Sequence, residues 1–76
     1  MYPNGYITMH DLAAFVKAKR SAFGLTQPEL ARKAGVGLRF VRELEQGKPT
    51  LRIDKINQVL ALFGYVLGPV TAPRNF

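Results

Sequence analysis

The chain of 76 residues carries a net charge of +6, with eleven Lys and Arg against five Asp and Glu, and it has no cysteine. Disulfides and thiolate metal sites are therefore excluded, and a single domain of this size is near the lower limit at which a hydrophobic core holds alone. No apolar run approaches the ~20 residues of a membrane span. The excess positive charge favours a polyanionic partner, either nucleic acid or an anionic membrane surface, although it can also serve solubility alone. We expect a cytoplasmic protein without cofactor or metal.

Pro, Gly and Asn residues cluster at both ends of the chain, where they are typical of mobile segments. The pattern predicts one domain in four parts. These are an N-terminal arm (1–7), a helical core (8–64), a dimerisation strand (65–70) and a mobile tail (71–76).

The first predicted helix begins after Thr8, whose hydroxyl can cap the first turn in a capping box with Asp11. Gly24 is placed to end this helix. Its apolar face is made of residues at helical spacing, namely Leu12, Phe15, Val16 and Phe23.

The second predicted helix has a sharper start, because Thr26 and Glu29 form a Thr-x-x-Glu capping box and Pro28 lies in the first turn. Gly35 ends it after about two turns. Its inward face is narrow and consists of Leu30, Ala31 and Ala34.

The third predicted helix runs from about Leu38 to Gln46, and Gly47 ends it. Val41 and Leu44 lie on its inward face, and Val36 enters the core just before the helix begins. A fourth helix is predicted from Ile53 to Phe63, with an amphipathic stripe of Ile53, Ile56, Val59, Leu60 and Phe63.

The segment "YVLGPV" after Gly64 is rich in β-branched and aromatic residues and predicts a short strand, which Pro69 confines to a sheet edge. A lone strand is unstable. Its partner is either the segment "YIT", Tyr6 to Thr8, or the same strand of a second copy.

Two short helices joined by the tight turn Gly35–Gly37 are typical of a helix-turn-helix, in which the second helix enters the major groove of DNA. The alternative is an ordinary corner between two helices of a bundle. Two glycines, two caps and a basic exposed face on the third helix together favour DNA binding.

The stretch from Gly24 to Gly64 resembles the helix-turn-helix family of lambdoid phage repressors, through "LTQPELA", "AGV" and "ELEQGK". Within that family, "FVRELEQGKPT" followed by a final helix and a strand is most similar to HipB-like antitoxins. The resemblance implies an all-α fold of four to five short helices around a central helix-turn-helix, with a C-terminal β-strand paired across a dimer. It also implies a small repressor encoded beside a toxin, often a HipA-like kinase.

The resemblance assigns roles to three residues outside the exposed face of the third helix. Gln27 matches a glutamine that touches a phosphate and braces the base-reading residues, and the helix start offers N–H groups to the same phosphate. Its alternative role is simply to fill the first helical position. Arg20 and Glu45 match a buried salt bridge that ties the first helix to the end of the third, so this pair is structural.

The exposed face of the third helix carries the candidate base contacts. Arg39 suits guanine O6 and N7, and Arg42 a base or a flanking phosphate. Glu43 either accepts from a cytosine amino group or pairs with Arg39. Leu38 can pack on a thymine methyl, and Gly37 lets a backbone N–H approach a phosphate.

Lys48 and Lys33 are further candidates for phosphate contacts, and Arg52 is a weaker one. Phe40 is assigned to the core or to a subunit contact rather than to a base wedge. The exposed face as a whole comprises Gly37, Leu38, Arg39, Arg42, Glu43 and Gln46.

Other classes of function are disfavoured. His10 is the single histidine and has no nucleophile or metal-ligand neighbours, so we expect no enzyme. RNA binding is disfavoured because the sequence shows no aromatic stacking platform of the kind that single-strand binders use. A module that only neutralises a toxin remains an alternative, although the basic face with Gln27 and Arg39 argues against loss of operator binding.

The sequence therefore predicts a repressor that binds a palindromic operator as a twofold dimer, with no membrane partner. Tyr65, Val66 and Leu67 are assigned to the dimer interface, where the register of the paired strands decides whether Leu67 or Val66 is buried with Tyr65. The predicted role is the antitoxin of a HipBA-like operon, which represses its own promoter and binds its toxin, with the tail 71–76 a candidate handle for toxin or protease. The alternative is a stand-alone phage-type regulator.

Overall fold

The computed structural model describes residues 8–69, and the regular secondary structure of this part of the chain consists of four helices, within the predicted four to five. The third and fourth helices end at Glu45 and Leu62, one residue before their predicted ends. Gln46 and Phe63 are their C-caps. The predicted arm (1–7) and tail (71–76) lie outside the described residues. The four helices are α1 (Met9–Ala22), α2 (Gln27–Ala34), α3 (Leu38–Glu45) and α4 (Ile53–Leu62).

Capping boxes fix the starts of α1 and α2, as predicted. The hydroxyl of Thr8 accepts from the backbone N–H of Asp11 at 3.1 Å, and the Asp11 carboxylate accepts from Thr8 N–H at 3.1 Å. Thr26 and Glu29 repeat the exchange at 3.2 and 2.8 Å. Both reciprocal pairs satisfy N–H groups that a helix start otherwise leaves unpaired.

Glycines in the left-handed region end α2 and α3. Gly35 has φ +76°, and the N–H of the next residue, Val36, reaches back to Ala31 O at 3.0 Å. Gly47 has φ +79°, and Lys48 N–H reaches Glu43 O at 3.1 Å. These backbone bonds form the Schellman closure, which reverses the chain abruptly and keeps both connections short.

All four helices contribute to one core, in which α3 packs on α1 and α2, and α2 packs on α4. Val36, Leu38 and Phe40 are partly buried against this core. Its fully or nearly fully buried members are Leu12, Val16, Leu30, Ala31, Val41, Leu44, Ile56, Val59 and Leu60.

Two residues that the periodicity assigns to apolar faces are instead exposed. Phe23 is 55% exposed because it is the C-cap of α1, beyond the last helical residue, and it packs edge-to-face on Phe63 with ring centroids 5.0 Å apart. Ile53 is 65% exposed because it is the first residue of α4 and lies at the rim of the core, beside an open groove lined in part by Met9 and Leu51.

The predicted C-terminal strand is not supported, since none of the described residues of the segment, 65–69, pairs as a strand. Tyr65 N–H closes α4 by donating to Leu60 O at 2.9 Å, and Leu67 N–H donates to the Asn57 side-chain oxygen at 2.8 Å. Two backbone donors that a strand would use are therefore taken by α4. The suggested partner strand lies almost wholly outside the described residues.

Between Thr8 and Pro69, no helix combines the length and the apolar character needed to cross a membrane.

Candidate nucleic-acid interface

The two sides of α3 differ sharply in exposure. Val41 and Leu44 are fully buried, whereas Arg39 and Arg42 are exposed and the Arg39 side chain keeps 90% of its accessible surface. At 100° per residue, positions 39, 42, 43 and 46 follow one side of the helix. The solvent-facing side of α3 is thus basic, and its buried side holds the helix against the core.

The start of α3 is open. Gly37 is the N-cap with φ −75° and ψ 153°, and its lack of a side chain leaves the first-turn N–H groups without a side-chain acceptor. Nothing lies within 4 Å of the position that a Cβ on Gly37 would occupy. Leu38, by contrast, is partly buried against the core, so only part of its side chain faces outward.

A bidentate ion pair fixes α3 relative to α1. Arg20 Nε and Nη2 donate to the two carboxylate oxygens of Glu45 at 2.7 and 3.1 Å, while Nη1 donates to Leu25 O at 3.0 Å. The side chains are only 18% and 2% exposed, respectively. The hydrogen bond from Arg20 to this carboxylate raises the pKa of the guanidinium. The pair lies behind the exposed face and sets its orientation.

Gln27, at the start of α2, is linked to the same carboxylate. Its Nε2 donates to Glu45 Oε1 at 3.0 Å, and the residue is half-buried. The resemblance implied a brace to base-reading residues, whereas here the brace goes to the buried end of α3. Because a primary amide has two N–H groups, one remains to donate to a phosphate.

Glu43 lies between two cations. Its Oε2 accepts from Arg39 Nε at 3.3 Å and from Lys48 Nζ at 3.2 Å. These bonds, that of Lys48 foremost, lower the pKa of Glu43 below its ordinary value. Of the two readings that the sequence left open for Glu43, the ion pair is the arrangement in this structure, and it includes Lys48 as well.

The remaining candidates for phosphate contacts occupy different settings. Lys33 is exposed in the last turn of α2, near the turn into α3. Arg52 instead pairs with Asp54, with Nη2 and Oδ2 2.6 Å apart. Arg32, also exposed at the end of α2, is a basic residue that the sequence analysis did not single out.

Two polar residues of α4 that the sequence analysis overlooked position neighbouring segments. Gln58 Nε2 lies 3.5 Å from the carbonyl oxygens of Ala34 and Gly35, and so touches the turn of the helix-turn-helix. Asn57 holds the segment after α4 through Leu67. Two adjacent amides in the middle of an amphipathic helix are the signal that could have drawn attention to both.

The residues assigned to a dimer interface are not equally exposed. Tyr65 is 47% exposed and packs edge-to-face on Phe15 at 4.8 Å, with Lys19 Nζ 5.3 Å from the centre of its ring. Val66 is 72% exposed. Leu67 is partly buried against the core of its own chain, so Tyr65 and Val66 offer most of the outward surface.

Comparison with known proteins places this geometry in a family context. The family model described as helix-turn-helix matches residues 16–66, which take in the second half of α1 and all of α2, α3 and α4. An uncharacterised HTH-type transcriptional regulator of Sinorhizobium fredii, y4mF, is 51% identical over 57 residues, a match that covers 75% of each chain.

Proposed function

The chain belongs to the helix-turn-helix family, and from that premise we propose that it is a sequence-specific DNA-binding transcriptional repressor that acts without catalysis. The observation that carries the proposal is the basic, solvent-facing side of α3, held in place by the buried pair of Arg20 and Glu45. A recognition helix must be fixed in this way, because its side chains reach base edges only at a defined depth in the groove.

In the proposed complex, α3 enters the major groove and α2 lies across the backbone. Arg39 binds guanine O6 and N7, and Arg42 binds a base or the adjacent phosphate. Gln27 and Lys33 hold phosphates from α2, and the open start of α3 at Gly37 offers backbone N–H groups to the same strand. The exposed part of Leu38 packs on a thymine methyl.

A palindromic operator requires two copies of α3 related by a twofold axis, with half-sites about one helical turn of DNA apart. We propose a homodimer formed through residues 65–70. The exposure of Val66 and Tyr65 supports it, because both are apolar or aromatic and face outward. Since Leu67 N–H is already bonded to Asn57, pairing of two such segments as strands would exchange this bond for one between subunits.

Sedimentation at tens of micromolar tests the dimer. The wild-type chain is expected to sediment as a dimer, and Val66→Lys as a monomer, because the charge would have to be desolvated at the interface. Phe23→Lys is the control, since Phe23 is also apolar and 55% exposed but lies at the end of α1, outside the groove that Val66 lines. A monomeric wild type contradicts the proposal.

The more specific proposal is that the repressor is the antitoxin of a HipBA-like operon. Its support is the resemblance of "FVRELEQGKPT" and the following helix to HipB-like antitoxins. The antitoxin would repress its own promoter and bind a toxin related to HipA-like kinases, and the complex would repress more strongly through avidity. Co-expression with the neighbouring gene tests this, because an antitoxin relieves the growth arrest its toxin causes. A neighbouring gene without toxic effect points instead to a stand-alone regulator.

The test of DNA binding is a gel shift with the DNA upstream of the chain's own gene, over a series of salt concentrations. We expect a specific complex whose affinity falls steeply with salt, since several Lys and Arg displace counterions from phosphates. A toxin-neutralising module without operator binding would show no sequence preference at any salt concentration, and this result would overturn the proposal.

A further inference from the structure

We propose that Glu43 limits the binding of nonspecific DNA, by holding Arg39 and Lys48 on one carboxylate oxygen until a matching base replaces them. The inference rests on the proposed function and assigns to Glu43 a role in specificity rather than in affinity.

The contacts of Glu43 are convergent. Arg39 Nε and Lys48 Nζ lie 3.3 and 3.2 Å from the same atom, Oε2. Glu43 itself is only 23% exposed, while the side chains of Arg39 and Lys48 are 90% and 46% exposed. The carboxylate is therefore partly covered by the two cations that are otherwise best placed to meet DNA.

The backbone enforces this arrangement. Arg39 precedes Glu43 by four residues on the same helix, so the two side chains lie one turn apart on one face. Lys48 is brought back from the other direction by the closure of α3, in which its own N–H bonds to Glu43 O and Gly47 N–H bonds to Leu44 O, both at 3.1 Å. Glu43 thus lies between two cations because of how the helix ends.

Glu43 is also distinct among the five acidic residues of the chain. Asp11 and Glu29 cap helices, and Glu45 is buried with Arg20. Asp54 pairs with Arg52 in the first turn of α4. Glu43 alone places a carboxylate on the solvent-facing side of α3.

The effect of the Glu43 carboxylate on binding differs between random and matching DNA. On a random duplex, the carboxylate repels phosphates and competes with them for Arg39 and Lys48, so fewer counterions are released on binding. At a matching site, a cytosine amino group can donate to Glu43, and this contact frees Arg39 for a guanine and Lys48 for a phosphate. The difference between the two cases is a gain in specificity, obtained by weakening the wrong complexes.

The experiment compares Glu43→Gln with Asp54→Asn, because both remove one negative charge from an exposed ion pair but only the first lies on α3. Affinity for a random-sequence duplex is measured over a salt series by fluorescence anisotropy. Glu43→Gln should bind the random duplex roughly 3–10-fold more tightly at low salt, with a steeper salt slope by about one to two phosphate contacts. Asp54→Asn should change the affinity less than twofold and leave the slope unchanged.

Equal effects of the two variants would overturn the role of Glu43, since the gain would then follow from net charge alone. An unchanged random-duplex affinity for Glu43→Gln would overturn it as well. The proposed function fails separately, if the wild type shows no preference for the upstream DNA over the random duplex. The affinity for the random duplex reports the effect of Glu43 whether or not the wild type prefers the upstream DNA.

Discussion

The side-chain amide of Gln27, at the start of α2, donates to Oε1 of Glu45, at the end of α3, across 3.0 Å. The same carboxylate receives the guanidinium of Arg20 from α1. One buried carboxylate therefore links the proposed phosphate contact of Gln27 to the element that orients α3. Any change that moves Glu45 should alter both the stability of the domain and the geometry of its DNA contacts.

Loss of Arg20 is expected to destabilise the domain strongly. Arg20→Met leaves the 2%-exposed carboxylate of Glu45 without its cation, and the free energy of unfolding should fall by about 3–5 kcal/mol, as measured by urea denaturation. The double variant R20M/E45L replaces both charges by apolar groups and should recover most of the loss. Arg39→Met is the control, because its exposed pair with Glu43 contributes only about 0.3–0.5 kcal/mol.

The periodicity places Leu44 and Ile53 on apolar faces alike, but the structure predicts very different effects of their truncation. Leu44 is fully buried between helices, so Leu44→Ala should lower the free energy of unfolding by about 2–5 kcal/mol through lost contacts and a cavity. Ile53 is 65% exposed, and Ile53→Ala should change the free energy of unfolding by less than about 0.5 kcal/mol. Thermal and urea denaturation of both variants measure the difference; similar losses would refute the assigned burial.

The capping box of α2 predicts a pH dependence of stability. Thr26 N–H donates to the Glu29 carboxylate at 2.8 Å, and this bond is the main cause that lowers the pKa of Glu29 below its ordinary value of 4.5. Because the folded pKa is the lower one, the contribution of the charged group is fully present above pH 4.5 and is lost as pH falls through the folded value.

Glu29→Gln should therefore be less stable than wild type at pH 7, and the two should converge as the pH falls below the lowered pKa. Urea denaturation from pH 7 to pH 2.5 measures this difference. Asp54→Asn serves as a comparison in 1 M salt. There the contribution of the exposed ion pair between Arg52 and Asp54 to stability should weaken, whereas that of the capping hydrogen bonds should persist. A constant difference between wild type and Glu29→Gln across the pH range would contradict the assignment.

Base reading and phosphate binding should separate by mutation. Arg39→Met should cost about 1–3 kcal/mol at the preferred operator and relax the preference at one base-pair position, because it removes a bidentate contact to guanine. Lys33→Met should weaken binding to all sequences alike and lower the salt slope by about one. Selection from a randomised duplex pool, followed by salt titration, measures both. A relaxed preference in Lys33→Met with none in Arg39→Met would reverse the assigned roles.

Much of the local structure followed from the sequence, because it depends on residues close together in the chain. A capping box joins residues three apart, such as Thr26 and Glu29, and a Schellman closure needs only a glycine such as Gly47 at the right place. The starts of α1 and α2 and the tight turn between α2 and α3 were accordingly predictable. The apolar spacing of α3 likewise identified its buried side.

The tertiary structure alone decided whether a given apolar side chain is buried and which partner a given polar group bonds. Helical periodicity assigns a direction to Ile53 but cannot show that this first residue of α4 borders an open groove, so its exposure was not predicted. The strand propensity of residues 65–69 is genuine, yet Asn57, ten residues before Leu67, takes the backbone donor that pairing requires. Such outcomes depend on free-energy differences between partners distant in sequence, which propensity and spacing do not encode.

The basic side of α3 illustrates both levels together. Its charges and their helical spacing are properties of the sequence, and they were sufficient to indicate a DNA-binding helix. The closure of α3 and the packing around Glu45 determine that Glu43 holds Arg39 and Lys48, and that Gln27 is braced from behind. On α3, short-range rules thus determined which groups face the solvent, and packing determined which of them are already paired before DNA arrives.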